Sequence, residues 1–383
     1  MKTDAFYNVL KDAKKICRDY SLCDSCLGRM FAKKLSISSN RLLGRKIHKE
    51  IGKSSKCYIC RDLTENLDPI YDEILKKVSS YQFGSFLVGV MIKPSIIERD
   101  DLIRSKYKMM GTDSVKTDIS GQLARRLSKK TGSVIEANGA ELTITANLKD
   151  NSVELYSRSI IVVGRYTKGS RRLPQSRRSC RDCNGKGCTR CNFHGLEDFE
   201  SVEGKIAGLL YERFSSSQVK ITWLGGEAET SKVKGDGRIF FARILDPKKR
   251  NPRLAKNITL DGIGVSGLRQ IASLPKDQPE FRTKIAMLME ADKEVLSEDL
   301  QRLKELKGSQ MAIYKDSQRI EKSIRSIGYK KRGPRSFTLF LETDGSIPVK
   351  KFAGGETVFP NLSDYLNTKC TCKRYDILQI TVQ

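Results

Sequence analysis

The chain has 383 residues and a formal net charge of +26, from 71 Lys and Arg against 45 Asp and Glu. The length predicts about two or three domains. The charge favours a polyanionic partner, because a small domain needs only about 2–8 net charges for solubility. Nucleic acid is the first candidate and an anionic membrane surface the second, since no apolar run approaches the roughly 20 residues of a membrane span. Residues 1–10 carry no apolar signal core, so we expect a cytoplasmic protein.

Residues 1–65 are predicted to form an N-terminal zinc-binding segment. They contain two Cys-x-x-Cys pairs, Cys23/Cys26 and Cys57/Cys60. Two residues between cysteines let both thiolates reach one ion from a tight turn, and two such turns complete a tetrahedral zinc site. In an intracellular chain this spacing favours metal over disulfides. Small buried cysteines or redox thiols are the alternative interpretation.

Residues 66–170 are predicted to form a mixed α/β region. Asp68 and Pro69 are typical of a helix start, because proline is favoured at the first helical position. Apolar spacing then predicts elements in this order: a buried strand at Phe83–Ile92, a helix with Ile119, Leu123 and Leu127 on one face, and strands at Ala140–Leu148 and Ser159–Val163. This mixture of helices and strands predicts a fold with at least one sheet.

The stretch from residue 164 to 178 is basic and rich in Gly, Ser and Pro. Cations around an aromatic ring suit phosphate contact and base stacking, while a solvated linker is the alternative. The RNA-binding candidates here are Arg165, Tyr166, Lys168, Arg171, Arg172, Arg177 and Arg178.

Residues 171–195 form a junction that ends in a second cysteine cluster, Cys180, Cys183, Cys188 and Cys191. Its regular spacing predicts one structural ion, and Gly185 and Gly187 allow two turns to fold around it. We therefore expect one or two zinc ions per chain and no organic cofactor. Cys17, Cys370 and Cys372 fit no ligand set and are predicted to pack in the core. His48 and His194 are predicted to be polar surface residues, with a substitute ligand role as the alternative.

Residues 196–383 are predicted to form the last domain. The apolar pattern predicts a helix at Ser201–Phe214, strands at Val219–Trp223 and Ile239–Leu245, a largely helical stretch at Pro279–Leu306, and strands at Phe337–Glu342 and Ile377–Val382.

Six segments, taken in order, resemble the archaeal tRNA pseudouridine synthases that act on uridines 54 and 55 of the T-loop. The matching segments are Leu22–Arg29, Phe86–Gly89, Gly164–Tyr166 with Leu173–Gln175, Cys180–Cys191 with Ser201–Glu203, Gly237–Phe240 and Asp246–Arg250. The resemblance implies an α/β (α+β) fold, with an N-terminal zinc and THUMP-like RNA-binding region before a pseudouridine-synthase-like mixed-sheet domain. It implies tRNA as partner and adds Arg238, Lys248, Lys249 and Arg250 to the RNA-binding candidates.

The residues of the family's catalytic motif are changed in this chain. The family's aspartate nucleophile lies in a Gly-Arg-Glu-Asp run, which falls on Gly225–Ala228, with Ala228 at the Asp position. Alanine offers no nucleophile, so Glu227, Glu229 and Asp236 are the candidate substitutes. Two substrate-contacting Tyr positions of the family fall on Lys284 and Pro348.

Three hypotheses therefore remain: a tRNA pseudouridine synthase, a non-catalytic tRNA-binding or tRNA-folding factor, and a zinc protein that binds DNA or the ribosome. A carboxylate in the pocket would favour turnover, and an apolar or basic pocket floor would favour binding alone.

Overall fold

The computed structural model describes residues 2–52, 56–277, 279–315, 318–355 and 357–382. The chain folds as two units, Met1–Arg158 and Ser159–Gln383. The division lies between Arg158 and Ser159 rather than between residues 170 and 171. The reason is that Ile160–Lys168 is an inner strand of the second unit's sheet. No helix among the described residues is long and apolar enough to cross a membrane.

The first unit combines helices with a small sheet. Its helices are α1 (Lys2–Asp19), α2 (Asp24–Ala32), α3 (Asn40–Ile51), α4 (Asp68–Val78), α5 (Pro94–Lys106) and α6 (Val115–Thr131). Its strands are β1 (Ser85–Met91), β2 (Val134–Ile135), β3 (Leu142–Asn147) and β4 (Ser152–Ser157), in the order β2-β1-β3-β4. The helix predicted from Asp68 and the buried strand predicted at Phe83–Ile92 are confirmed by α4 and β1.

The cysteine-rich segment and the α/β region of this unit share one hydrophobic core. A buried ion pair joins them, because Arg29 of α2 contacts the Asp100 carboxylate of α5. Arg29 also donates to the carbonyl of Asp113 at 2.8 Å, and the amide of Val115 donates to Asp100 at 2.9 Å. Residues 1–65 are therefore packed into the first unit and are not a separate body.

Two glycines allow α2 and α3 to pack closely. A Cβ atom at Gly28 would lie 1.8 Å from the Asn40 carbonyl oxygen, and one at Gly44 would lie 1.8 Å from the Asp24 carbonyl oxygen. No side chain fits at either position, because the neighbouring atoms belong to backbone that cannot move without separating the helices. The Gly of the Leu22–Arg29 segment therefore has a packing reason.

The second unit is built on an 11-stranded sheet. Its strands are β5 (Ile160–Lys168), β6 (Gln218–Trp223), β7 (Val233–Leu245), β8 (Asn257–Leu260), β9 (Ile263–Ile271), β10 (Phe281–Ala291), β11 (Gln310–Lys315), β12 (Gln318–Gly333), β13 (Ser336–Asp344), β14 (Val358–Phe359) and β15 (Cys370–Val382). Its helices are α7 (Val202–Phe214), α8 (Ser297–Arg302), α9 (Val349–Gly354) and α10 (Leu362–Tyr365). The strand order is β14-β11-β12-β13-β10-β15-β7-β5-β9-β8, with β6 also paired to β7. Two antiparallel halves meet where β15 pairs with β7 in parallel.

The prediction of a largely helical stretch at Pro279–Leu306 is wrong. Residues 281–291 form strand β10, and only Ser297–Arg302 forms an α-helix. Every second side chain of β10 is buried, from Phe281 to Ala291, while Lys284 and Glu290 are exposed. The segment is rich in good helix formers, but its period-two apolar pattern and the pairing with β13 and β15 override that propensity. The mixed α/β fold class itself is confirmed.

Candidate active site and metal centres

The first cysteine set converges on a single point in the first unit. Cys23 caps the start of α2 and Cys26 lies in its first turn, while Cys57 and Cys60 lie in the turn that follows α3. All four are buried, and their sulfur atoms lie within 4.8 Å of one another, with 3.6 Å between those of Cys23 and Cys60. A tetrahedral ion with Zn–S bonds of about 2.3 Å separates its ligand sulfurs by about 3.8 Å. The four thiols therefore fit one metal ion.

The second set also converges on one point, in the second unit, with all four sulfur atoms within 4.8 Å of one another. The sulfur of Cys191 lies 3.7 Å from that of Cys188 and 3.8 Å from that of Cys183, and 4.0 Å separates Cys180 from Cys188. The backbone amides of Gly187, Cys188 and Gly195 donate to the Cys183 and Cys191 sulfurs at 3.2 Å. Such amide donors stabilise thiolate charge, which is the form that binds a metal. This cluster too could hold one metal ion.

The remaining cysteines and the histidines are engaged elsewhere. Burial raises the pKa of Cys17, Cys370 and Cys372 to about 11 each, so these thiols are protonated at neutral pH. His48 Nδ1 lies 2.6 Å from the buried Asp24 carboxylate. The His194 ring stacks on Tyr211 at 4.2 Å between centroids. Neither histidine belongs to the two cysteine clusters.

The basic junction contains two kinds of arginine. Arg171 binds the Asp376 carboxylate with two nitrogens, at 2.8 and 2.9 Å, and Arg177 pairs with Glu203 at 3.1 Å. Burial raises the pKa of Asp376, but the bonds from Arg171 and the Lys232 amide outweigh it and hold that pKa below its ordinary value. Arg171 and Arg177 thus fasten the junction to β15 and α7. Four further predicted RNA-binding cations are exposed, two in the junction and two after β7: Arg172, Arg178, Lys248 and Lys249.

Four predicted RNA-binding residues are buried, namely Tyr166, Lys168, Arg238 and Arg250. Tyr166 offers no free ring face to a base, because Trp223 packs edge-on against it at 5.3 Å and Phe240 lies beside it. The burial of Tyr166 and Lys168 follows from the alternation of β5, whose even-numbered residues point into the core, and a count of charges does not show this. Arg165, on the other face of β5, is half-buried.

Glu227, one of the three candidate carboxylates, is part of an internal network. Its carboxylate lies 2.8 Å from the Lys168 ammonium, and both side chains are fully buried. It also accepts a hydrogen bond from the Tyr166 hydroxyl at 3.0 Å. Lys168 additionally donates to the carbonyls of Leu173, Ala228 and Glu229. The other two candidate substitutes, Glu229 and Asp236, are exposed.

A small cavity lies where the two halves of the sheet meet. Its described lining includes Gly226 of the β6–β7 loop, Arg238 of β7, Thr283 of β10, Thr343 of β13 and Tyr375 of β15, and none of its described lining residues is a carboxylate. The volume is about 20 Å³, which is room for a water and not for a nucleobase.

Arg238 and Tyr375 are two of the polar side chains that line this cavity. The Arg238 guanidinium is buried, and its Nε and Nη1 atoms have no hydrogen-bond partner among the described residues. The Tyr375 hydroxyl accepts a hydrogen bond from the Ala228 amide at 3.0 Å. The floor is therefore basic. Sequence reasoning missed Thr283 and Tyr375, because they come beside Arg238 only when β15 pairs with β10 on one side and with β7 on the other.

Comparison with known proteins agrees with this architecture over nearly the whole chain. A family model described as "Pus10 THUMP domain, archaeal" matches residues 70–147, and one described as "Pus10, C-terminal" matches residues 161–381. The chain is 41% identical over 379 residues to the tRNA pseudouridine synthase Pus10 of Nitrosopumilus maritimus, covering 99% of each protein. This chain belongs to the Pus10 family.

Further relatives extend the Pus10 comparison. The tRNA pseudouridine synthase Pus10 of Cenarchaeum symbiosum is 38% identical, over 96% of this chain and 91% of that protein. A solved H/ACA RNP bound to a substrate RNA containing 2'-deoxyuridine is similar over 57% of this chain and 47% of that one, with 9% identity and a TM-score of 0.30. That structural likeness is too distant to bear on the site. The Pus10 C-terminal match runs from β5 to β15, and the THUMP match from α4 to the end of β3.

Proposed function

We propose that this Pus10-family chain binds tRNA and isomerises uridines 54 and 55 of the T-loop to pseudouridine. The observation that carries the proposal is the agreement over 99% of both chains with a protein named tRNA pseudouridine synthase. The net charge of +26 and the THUMP match are consistent with an RNA substrate. We further propose zinc as the ion of both cysteine clusters and the cytoplasm as the location.

Isomerisation requires that the C–N glycosidic bond breaks, that the base turns over, and that it rejoins the sugar through carbon. The target base must first leave its stack and enter a pocket. The cavity beside Arg238 must therefore open, because it now holds no more than a water. The unpaired Nε and Nη1 groups of Arg238 can then donate hydrogen bonds to a carbonyl oxygen of the base.

The nucleophile has to be a carboxylate that RNA can reach. Glu227 is excluded from this role as it stands, since its carboxylate is buried against Lys168. Glu229 and Asp236 are exposed, one just after the Ala228 position and one in β7. They are the carboxylates of the original three that could approach a bound uridine.

One specific observation favours a second function, which is tRNA binding without turnover. None of the described residues that line the cavity is a carboxylate, and the floor is basic. The resemblance to the family also implies that Ala228 stands at the position of the aspartate. A chain with this cavity would still bind tRNA but would have no nucleophile for the isomerisation. Groups that act as a unit cannot be restored singly, so Ala228→Asp alone is expected to give little turnover.

The deciding experiment measures binding and product on the same preparation. Unmodified tRNA is incubated with the protein, pseudouridine is mapped by base-specific chemistry, and affinity is compared with that for a duplex RNA of equal length. Pseudouridine at 54 or 55 supports the first function, and its loss in Glu229→Gln with Asp236→Asn would identify the carboxylate. Preferential tRNA binding with no pseudouridine supports the second function. No preference for tRNA overturns both.

A further inference from the structure

Four strands of the second unit, β6, β7, β5 and β9, present a face that points away from the core. Even-numbered residues of β5, such as Val162 and Tyr166, are fully buried, whereas the odd-numbered residues are half-buried. The odd-numbered residues of β5 lie in rows with residues of the neighbouring strands, because directly opposed residues of paired strands point to the same side of the sheet. This outer face, defined by the rows through Ile161, Val163 and Arg165, is called the β5 outer face below.

An aromatic ring lies at the centre of the β5 outer face. Phe241 of β7 is paired with Thr222 of β6 on one side and with Val163 of β5 on the other. Val163 is in turn paired with Arg269 of β9. Phe241 is half-buried, so its ring packs on the sheet and still reaches the surface.

Cations surround this ring. The next row of the β5 outer face contains Lys220, Arg243, Ile161 and Ile271, and the row on the other side contains Ile239 and Arg165. Lys220, Arg243 and Arg269 are exposed. Arg165 is held in place because its Nη1 donates to the carbonyls of Gly237 and Ile380, at 3.2 and 3.3 Å.

A groove of about 610 Å³ runs over this face, beside the segment that includes Leu274, Pro275 and Lys276. Phe241, Val163 and Ile239 form its apolar floor, and its described lining includes Arg165, Arg269 and Lys276 but no carboxylate. The groove is distinct from the small cavity at Arg238, because Arg238 and Ile239 are consecutive in β7 and point to opposite sides. Its volume is within the range of small-molecule pockets.

We infer that the β5 outer face binds an unpaired RNA nucleotide, with its base on the Phe241 ring and its flanking phosphates at Arg165, Arg243 and Arg269. A sheet with an exposed aromatic is a common platform for unpaired bases, and cations beside it neutralise the phosphates. The described lining of the groove carries positive charge and no carboxylate, and this charge complements a polyanion rather than a basic or neutral peptide. The inference rests on the proposed function only in taking RNA as the ligand.

The test uses the full chain and a short single-stranded oligouridine, so that it is independent of tRNA recognition and turnover. Loss of one base–aromatic stack weakens binding by roughly 5- to 150-fold, and we expect a change in this range for Phe241→Ala. Phe241→Tyr keeps a ring and should bind as the unchanged protein does. Arg269→Ala should lower the slope of log affinity against log salt by about 0.7, the value for one phosphate contact on a single strand.

Two kinds of control are needed. One distinguishes loss of base stacking from loss of folding, and the other distinguishes failure of this inference from failure of the proposed function. Phe340→Ala removes an exposed phenylalanine of β13 outside the groove and should leave oligouridine affinity unchanged. Phe241→Leu retains apolar volume, so a fold that melts normally with weakened binding assigns the loss to the ring. Equal oligouridine affinity in Phe241→Ala, Phe241→Leu and the unchanged chain would overturn the inference. This holds whatever the separate tRNA-binding assay shows. Failure of the unchanged chain to prefer tRNA would count against the proposed function alone.

Discussion

Lys168 and Glu227 show how one buried pair changes the interpretation of a catalytic motif. Both side chains are fully buried 2.8 Å apart, and Lys168 also holds three carbonyls around the Ala228 loop. The sequence offered Glu227 as the carboxylate nearest to Ala228, where the family resemblance puts the nucleophile. The structure assigns it to neutralising a lysine that would otherwise be an isolated charge in the core.

Removing one member of this pair should destabilise the second unit. We expect Glu227→Leu to cost about 3–5 kcal/mol, because it leaves the ammonium buried without its counter-ion. The double variant with Lys168→Met should recover most of this loss. Denaturant unfolding can be followed by the fluorescence of Trp223, the single tryptophan, which packs at 5.3 Å on Tyr166. A double variant less stable than Glu227→Leu would contradict the ion-pair account.

Arg238 leads to the opposite expectation for stability. A buried guanidinium with unpaired nitrogens lowers the stability of the fold, so Arg238→Met should raise it by about 1 kcal/mol or more. The same change should abolish any pseudouridine formation, since the cavity loses its donors. The two measurements are the Trp223 unfolding midpoint and the pseudouridine yield on tRNA. A lower midpoint would mean that the guanidinium has a stabilising partner.

At the scale of elements, the contact between α2 and α3 depends on the absence of side chains. Gly44→Ala should destabilise the first unit by about 1–3 kcal/mol, because its Cβ would meet the Asp24 backbone at 1.8 Å. Gly121→Ala in α6 is the matched control. Its Cβ meets only the end of the Arg125 side chain at 3.1 Å, and the change should stabilise the helix by about 0.5–1 kcal/mol. Far-ultraviolet circular dichroism during urea unfolding measures both, and equal shifts would contradict the packing argument.

The two cysteine clusters are elements whose folding energy is expected to come from metal. The unchanged protein should contain about two zinc ions per chain, and Cys183→Ser should retain one. Cys17→Ser should retain both, because Cys17 lies outside the two clusters. Metal analysis of the purified proteins gives the counts. Loss of both ions in Cys183→Ser would show that the clusters are not independent, and their absence from the unchanged chain would remove the zinc proposal.

For the whole molecule, the exposed cations and the paired arginines should respond differently to substitution. Replacing Arg172 and Arg178 by Ala should lower the salt slope of tRNA binding by roughly 1.5 and leave unfolding unchanged, since two exposed phosphate contacts are lost. Replacing Arg171 and Arg177 breaks contacts to Asp376 and Glu203, so it should lower the stability of the second unit. Salt titrations of affinity and unfolding curves for each pair test this. An equal effect of both pairs on the slope would contradict the distinction.

Features that depend only on residues close together in the chain were predictable from the sequence. The four Cys-x-x-Cys spacings already place two thiols in one turn, so both cysteine clusters that could hold a metal ion were predictable, as were helices α4 and α7 and strand β1. The ordered motifs also sufficed for the Pus10 family, because they are local strings.

Features that depend on pairing between residues far apart in the chain could be seen only in the tertiary structure. Whether a strand cation is exposed, as Arg243 of β7 is, or buried, as Lys168 of β5 is, depends on the face of the strand that it occupies and on a partner found far along the chain. Residues of β10 form a strand despite their helical propensity, because β13 and β15 pair with them through backbone hydrogen bonds. The local sequence does not reveal these partners. The cavity at Arg238 and the groove at Phe241 exist only where strands from different parts of the chain meet. Side-chain contacts across a sheet are set by register, and register is fixed only when the sheet assembles.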